Sequence, residues 1–207
     1  MKIIIFDLDG TLLDTRTYII EAFSYTLQQN NIQKTDAEIA VLVGGNIHEI
    51  YAKLAEGFDS EKLFQIHAAY QERHQDSISL YYDVNVLLAD ARSKGYKIVA
   101  ITNRKAHVIT SLERVGLQDA FDMILTGNDV AHVKPDTEGI DVIAQHFDCS
   151  PEDMIVVGDT EIDVVFGKDA GVRMTIAITH GFRSREALEK AHPDHTVDSL
   201  TEIHDFI

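Results

Sequence analysis

Asp7-Leu8-Asp9-Gly10-Thr11 sets two carboxylates two residues apart, ahead of a glycine and a hydroxyl. Three later segments add Thr102-Asn103, Lys134-Pro135, and Gly158-Asp159-Thr160-Glu161-Ile162-Asp163. A carboxylate held rigidly at a strand tip, as Asp7 would be, can act as a nucleophile. Asp9 points to the same side if the backbone stays extended, and suits a general acid that protonates a leaving oxygen and then draws a proton from water. Gly10 lets the chain turn away sharply. Asp159 and Asp163 could hold a hard cation such as Mg²⁺, which takes oxygen ligands. Thr102, the main-chain amides around Asn103, and Lys134 are donors suited to phosphate oxygens whose charge shifts in a transition state. A D-x-D-G-T pattern arises by chance in about one chain per thousand of this length. The ordered set at strand ends is rarer still.

These residues need elements to hold them at one edge. Ile3–Phe6, Lys97–Ile101, Met123–Leu125, Met154–Val157 and Thr175–Ile178 are short, continuous, mostly β-branched runs, the pattern of strands buried on both faces. Helical stripes lie between them: Val84, Leu87, Leu88 and Ala91 in one, Ile140, Ile143, Ala144 and Phe147 in another. Gly95, Gly116 and Gly171 follow helices where a left-handed C-cap is useful. Ser150-Pro151-Glu152-Asp153 reads as a cap and a helical turn before the fourth strand. The alternation predicts an α/β fold, a Rossmann-like parallel sheet with helices on both faces. Ligands bind such sheets at the carboxyl ends of the strands, where the four segments fall.

The alternation is interrupted between Thr15 and Leu80, where no buried strand is legible. Ile19, Ala22, Phe23 and Thr26 share a helix face; Ile50, Tyr51 and Leu54 mark a second helix, and Leu63, Ile66 and Tyr70 a third. The expected organisation is a catalytic core of residues 1–14 and 81–207 with an all-helical cap subdomain, 15–80, inserted. Hinges are expected near Asp14–Thr15 and near Leu80–Asp83.

Composition narrows the function. The 207 residues carry 18 Lys+Arg against 34 Asp+Glu, a formal net charge of −16. That balance argues against sequence-independent binding to nucleic acid or to an anionic membrane, both of which depend on Lys and Arg. An acidic chain that handles phosphate needs a cation to offset the repulsion. Cys149 is the single cysteine, so neither an intrachain disulfide nor a cysteine-based zinc site is possible. The first apolar run is too short for a signal sequence and no stretch reaches the roughly 18 residues of a membrane span, so a cytoplasmic protein is expected. His192-Pro193-Asp194-His195 reads as a polar loop before a last short strand.

On these motifs the chain resembles the haloacid dehalogenase-like (HAD) superfamily, in the branch with a helical cap inserted after the first motif. Asp7-Leu8-Asp9-Gly10-Thr11 is similar to the first motif, Thr102 to the second, Lys134 to the third, and Gly158-Asp159 with Asp163 to the fourth. The resemblance covers nearly the whole chain and looks strongest toward the phosphoglycolate phosphatases and related small-phosphoester hydrolases. It implies that Asp7 attacks phosphorus to form an aspartyl-phosphate and that Asp9 is the acid and then the base. Mg²⁺ would be held by the Asp7 carboxylate, the Asp9 carbonyl and Asp159, with Asp163 supporting its water shell or Lys134. Thr102 and Lys134, beside Gly10 and Asn103, would hold the transferring phosphoryl. An acid at Asp9 favours phosphoryl transfer over dehalogenation.

Tyr81-Tyr82-Asp83 stands where many relatives carry Pro-Gly, and Thr137 where a second proline is common. Neither touches the chemistry. The alternatives within the superfamily are a sugar phosphomutase and an inorganic pyrophosphatase; outside enzymes, a phosphate-binding protein without catalysis, against which Asp9 and Lys134 both argue. The Gly44-Gly45-Asn46 loop and His180-Gly181 are further points where the site could be bordered, and Lys34, Lys53 and Lys62 are expected in solvent.

Overall fold

The structure, a computed structural model describing residues 1–207, begins with β1 (Lys2–Phe6), whose residues Ile3 to Phe6 are fully buried. A tight turn leads to β2 (Leu13–Asp14) and then to four helices: α1 (Arg16–Gln29), α2 (Asp36–Ala40), α3 (Ile47–Leu54) and α4 (Ser60–Arg73). The chain returns through β3 (Ser79–Leu80), antiparallel to β2. From there α5 (Val84–Ser93), β4 (Tyr96–Ile101), α6 (Val108–Arg114), β5 (Met123–Leu125), α7 (Glu138–Phe147), β6 (Met154–Gly158), α8 (Glu161–Asp169), β7 (Met174–Ile178), α9 (Arg185–Glu189) and β8 (His195–Val197) alternate.

The main sheet is parallel in the order β5-β4-β1-β6-β7-β8. This is the α/β architecture expected, with β1 as an inner strand. Pleating divides its side chains between two cores. Ile3 and Ile5 join Val99, Ile140, Ile143 and Phe166 on one face. Ile4 and Phe6 face Ile98, Leu87 and Val157 on the other, in a cluster that continues through Leu8, Leu12 and Leu13 into the helical insertion. Gly95, Gly116 and Gly171 all take positive φ at helix ends, as expected.

Inside the insertion the expected faces of the first two helices are buried: Ile19, Ala22, Phe23 and Thr26 in α1, and Ile50, Tyr51 and Leu54 in α3. The third expected face is corrected. α4 buries Leu63, His67 and Gln71, while Ile66 and Tyr70 are half-buried. The cause is polar: Tyr51 Oη lies 2.8 Å from His67 Nδ1, and the His67 ring packs edge-on to Phe23 with centroids 4.6 Å apart. A pattern of apolar residues cannot show a buried face made of His and Gln. No buried strand lies in 15–80, as expected, but the segment is not wholly helical: the partly exposed pair Ser79–Leu80 runs antiparallel to Leu13–Asp14 in a ribbon where the insertion joins the core. Two-residue strands and the five-residue α2 are too short for periodicity to reveal.

Two core side chains tie down the loop after α2. The guanidinium of Arg183 donates to the carbonyls of Ala40 (2.7 Å), Val41 (3.0 Å) and Val43 (2.9 Å), and to Glu161 at 2.7 and 3.1 Å. Asn103 Nδ2 donates to Gly44 O at 2.7 Å. Arg183 is 9% exposed, so truncating it leaves buried carbonyls without donors. Arg183→Met is expected to lower stability by about 2–4 kcal/mol, read as a shifted urea midpoint, and to raise amide exchange selectively in residues 40–45. Unchanged exchange there would show that the strap does not hold the loop.

Candidate functional site

Sheet register brings the first, second and fourth motifs together. Phe6 is level with Ala100 on β4 and with Val157 on β6, so the next residue, Asp7, comes level with Ile101 and Gly158. Thr102 and Asp159 stand one step farther out. Asp7 leaves the sheet still bonded to it, its N–H donating to Val157 O at 2.9 Å. Lys134, from the loop before α7, reaches into this gap. Its ammonium donates to Asp7 Oδ1 and Asp163 Oδ1, both at 2.6 Å, and to Ile101 O at 3.3 Å. The Lys134 side chain is 3% exposed.

Helix α8 presents Asp163 through its own N-terminal cap. Asp163 Oδ2 accepts from Thr160 N (3.1 Å) and Thr160 Oγ1 (2.8 Å), a capping box. One oxygen thus fixes the helix start and the other faces Lys134. Asp159 is held by Thr11 Oγ1 on Oδ1 (3.1 Å) and by Phe182 N on Oδ2 (2.7 Å). Gly10 turns the chain with φ +88°, and a Cβ there would strike the Asp159 carboxylate. A Cβ on Gly181 would strike the same carboxylate and Gly10 O. The two loops can close on Asp159 only because both positions lack side chains.

Asp7, Asp159 and Asp163 offer carboxylate oxygens within 4.8 Å of one another, all buried. Burial pushes the Asp7 carboxyl up from 3.8 to about 7; Lys134 opposes the shift, and the charges of Asp163 and Asp9 add to it. Burial first, then the charges of Asp7 and Asp163, raise Asp159 as well. Lys134 is driven the other way from a normal buried amine: burial disfavours its charge, but Asp163 and Asp7 together outweigh burial and raise its pKa. Three buried carboxylates against one ammonium leave excess negative charge when all three are ionised. An all-oxygen donor set of this kind fits a hard divalent cation.

The remaining expected residues are also placed. Asp9 and Thr102 face each other, with Thr102 Oγ1 donating to Asp9 Oδ2 at 3.4 Å. The side chain of Asn103 is not free for a ligand: Nδ2 bridges Gly44 O and Lys134 O (2.8 Å), and Oδ1 accepts Lys134 N at 2.9 Å. It is a bracket between loops, which leaves its main chain for any direct contact. His180 is also structural, since its Nε2 lies 3.0 Å from Thr11 O and its ring stacks on Tyr81 at 3.7 Å. Gly44 and Gly45 do line the cavity above Asp7, whereas Lys34, Lys53 and Lys62 are exposed and lie outside it.

That cavity encloses about 710 Å³ including its open mouth. Asp7, Asp9, Thr102 and Lys134 form its floor, and Ile19, Phe23, Ile47, Ile50 and Phe64 its apolar walls. Arg104, His67 and Gln71 are among its other lining residues and are absent from the sequence expectations. Only Arg104 carried a signal, its adjacency to Thr102-Asn103. Arg183 had none, because the carbonyls it straps lie about 140 residues away and its carboxylate partner Glu161 is 22 residues off at the start of α8.

The family described as haloacid dehalogenase-like hydrolase matches residues 4–177 of this chain. A pyrophosphatase PpaX of Bacillus mycoides is 30% identical over 213 residues, covering 98% of this chain and 96% of its own length. Among solved structures, one described as a predicted phosphoglycolate phosphatase from Haemophilus somnus superposes with a TM-score of 0.88 at 24% identity, covering 100% of this chain and 97% of the other. A hydrolase from Pseudomonas syringae gives 0.90 at 23% identity, with the same coverage.

The raised Asp7 pKa has a consequence for stability. In the folded state this carboxyl holds its proton up to about 7, and in the unfolded chain only to about 3.8. The folded state therefore binds more protons between these values, and Asp7 costs stability increasingly as pH rises through them. His67 acts oppositely: burial lowers it to about 3, so it costs stability as pH falls below its ordinary 6.5. Comparison with a variant isolates Asp7. Asp7→Asn is expected to gain urea stability relative to the unsubstituted chain between pH 5 and pH 8 in EDTA; a constant difference would contradict the raised carboxyl. With its family profile, its sheet and its strand-end carboxylates in agreement, this chain belongs to the haloacid dehalogenase-like hydrolases.

Proposed function

We propose that the chain is a Mg²⁺-dependent phosphatase of small phosphate esters that works through an aspartyl-phosphate on Asp7. The observation that carries this reading is the single buried edge where Asp7, Asp9, Thr102, Lys134 and Asp159 meet. Asp7 attacks phosphorus while Asp9 gives its proton to the leaving oxygen. Asp9 then takes a proton from the water that hydrolyses the acyl-phosphate. Lys134 and the Thr102 hydroxyl bind the transferring phosphoryl oxygens, and Lys134 favours the ionised form of Asp7 against its burial. The Asp7 carboxylate, the Asp9 carbonyl and Asp159 would hold Mg²⁺, which offsets phosphate and carboxylate charge when bound. Asp163, occupied by Lys134 and the Thr160 cap, supports the lysine and the outer edge of that site. Gly10 makes room for Asp159, and Asn103 holds the Lys134 loop in register. The helical insertion, residues 15–80, serves as a cap over the site, hinged at the β2–β3 ribbon, and its closure excludes water.

Phosphoglycolate and pyrophosphate are the substrates to test first, the second supported by the name of the Bacillus relative. Phosphate release from phenyl phosphate, phosphoglycolate and pyrophosphate is the assay. Asp7→Asn is expected to reduce every rate by more than about a thousand-fold, with the circular dichroism spectrum unchanged. EDTA is expected to stop turnover and added Mg²⁺ to restore it. Full activity in Asp7→Asn would rule out the aspartyl-phosphate, and full activity in EDTA would rule out the metal.

A further inference from the structure

Arg104 is the least expected residue of the cavity. Its side chain is 7% exposed and lies beside the Tyr18 hydroxyl, yet Nε and Nη2 meet no partner with hydrogen-bond geometry. Nη1 donates to Ser111 Oγ at 3.1 Å. Nε stands 3.1 Å from Asp9 Oδ2 without the alignment of a hydrogen bond, and Asp9 Oδ1 is likewise unpartnered. Beside it in the cavity is Gln71, 3% exposed, whose carbonyl accepts from Tyr18 Oη while its side-chain amide bonds nothing in the chain. His67 lines the same wall, and its buried ring is neutral, with Nδ1 engaged by Tyr51.

The only carboxylate within salt-bridge distance of Arg104 is Asp9. Two nitrogens of a buried guanidinium at the cavity wall therefore lack an acceptor, which is costly to leave unmet. An anionic group on the substrate would supply one. Because Arg104 lies against Asp9, that group must sit within an atom or two of the leaving oxygen.

We infer that Arg104, assisted by Gln71 and His67, forms a subsite for an anionic group on the leaving-group side of the scissile phosphate. The substrates of the site are then phosphate esters or anhydrides whose leaving group bears a carboxylate or a second phosphate. This inference rests on the aspartyl-phosphate reading for the role of Asp9, and the apolar walls then exclude larger polar leaving groups.

The test uses the full chain with Mg²⁺ and two readouts. In turnover, kcat/KM for pyrophosphate and for phosphoglycolate is compared with that for phenyl phosphate, which has no second anion. Arg104→Gln is expected to lower the better of the two ratios by about twenty-fold or more, and Arg104→Lys by less. Gln71→Leu, a less disruptive change, is expected to lower it about three- to ten-fold. Whichever anion-bearing substrate is preferred tells a second phosphate from a carboxylate. In binding, calorimetry on the Asp7→Asn protein compares methylenediphosphonate with methylphosphonate. Adding Arg104→Gln is expected to weaken the first at least ten-fold more than the second. Ratios and affinities that move together in folded Arg104→Gln and Gln71→Leu proteins overturn the subsite. Turnover by Asp7→Asn overturns the aspartyl-phosphate reading instead, and the binding comparison still reports on Arg104.

Discussion

The ammonium of Lys134, shared at 2.6 Å between Asp7 and Asp163, is the contact on which this molecule depends. It stands where three strand-end loops and the start of α8 converge, and it supplies positive charge to a cluster of buried carboxylates. Isolated carboxylates in such surroundings would neutralise or be driven apart. Burial already pushes Asp7 up to about 7 with the lysine in place. The capping box of α8 fixes Asp163 from the other side, so the lysine is clamped between a strand tip and a helix terminus. Both are rigid, which is what a preorganised charge arrangement requires.

Around this centre, space is regulated by missing side chains and by straps. Gly10 and Gly181 let two loops close onto Asp159. Arg183 and Asn103 hold the segment 40–44 of the insertion against the core through its carbonyls. The apolar core is continuous across the join, running from Phe6 through Leu12 to Phe23 and Tyr51. The insertion therefore has two kinds of attachment: an apolar one near the β2–β3 ribbon and a polar one over the site.

Much of the architecture was legible in the sequence, because buried parallel strands announce themselves. Runs such as Ile3–Phe6 and Met154–Val157 are apolar at every position, and the helices between them carry their stripe at the right spacing. The residues at strand ends were legible for a related reason: once the strands are placed, polar residues that follow them must lie on the carboxyl edge. Reading failed where burial is polar. His67 and Gln71 turned α4 by about one residue from its expected face, and Arg104 meets Asp9, and Arg183 the carbonyls of Ala40 and Val43, only across long stretches of chain. Asn103 was placed correctly at the edge, but its amide is committed to Gly44 and Lys134.

The sequence by itself determined the sheet and the identity of the family, because both rest on local pattern: apolar runs, helical stripes and four short motifs in order. Only the tertiary structure decided which charges are paired and which are left open. Lys134 finds Asp7 across 127 residues, and Arg104 comes to lie against Asp9 with two nitrogens unsatisfied. The strength of those interactions is set by burial, and burial is a property of the assembled fold rather than of any segment of the chain.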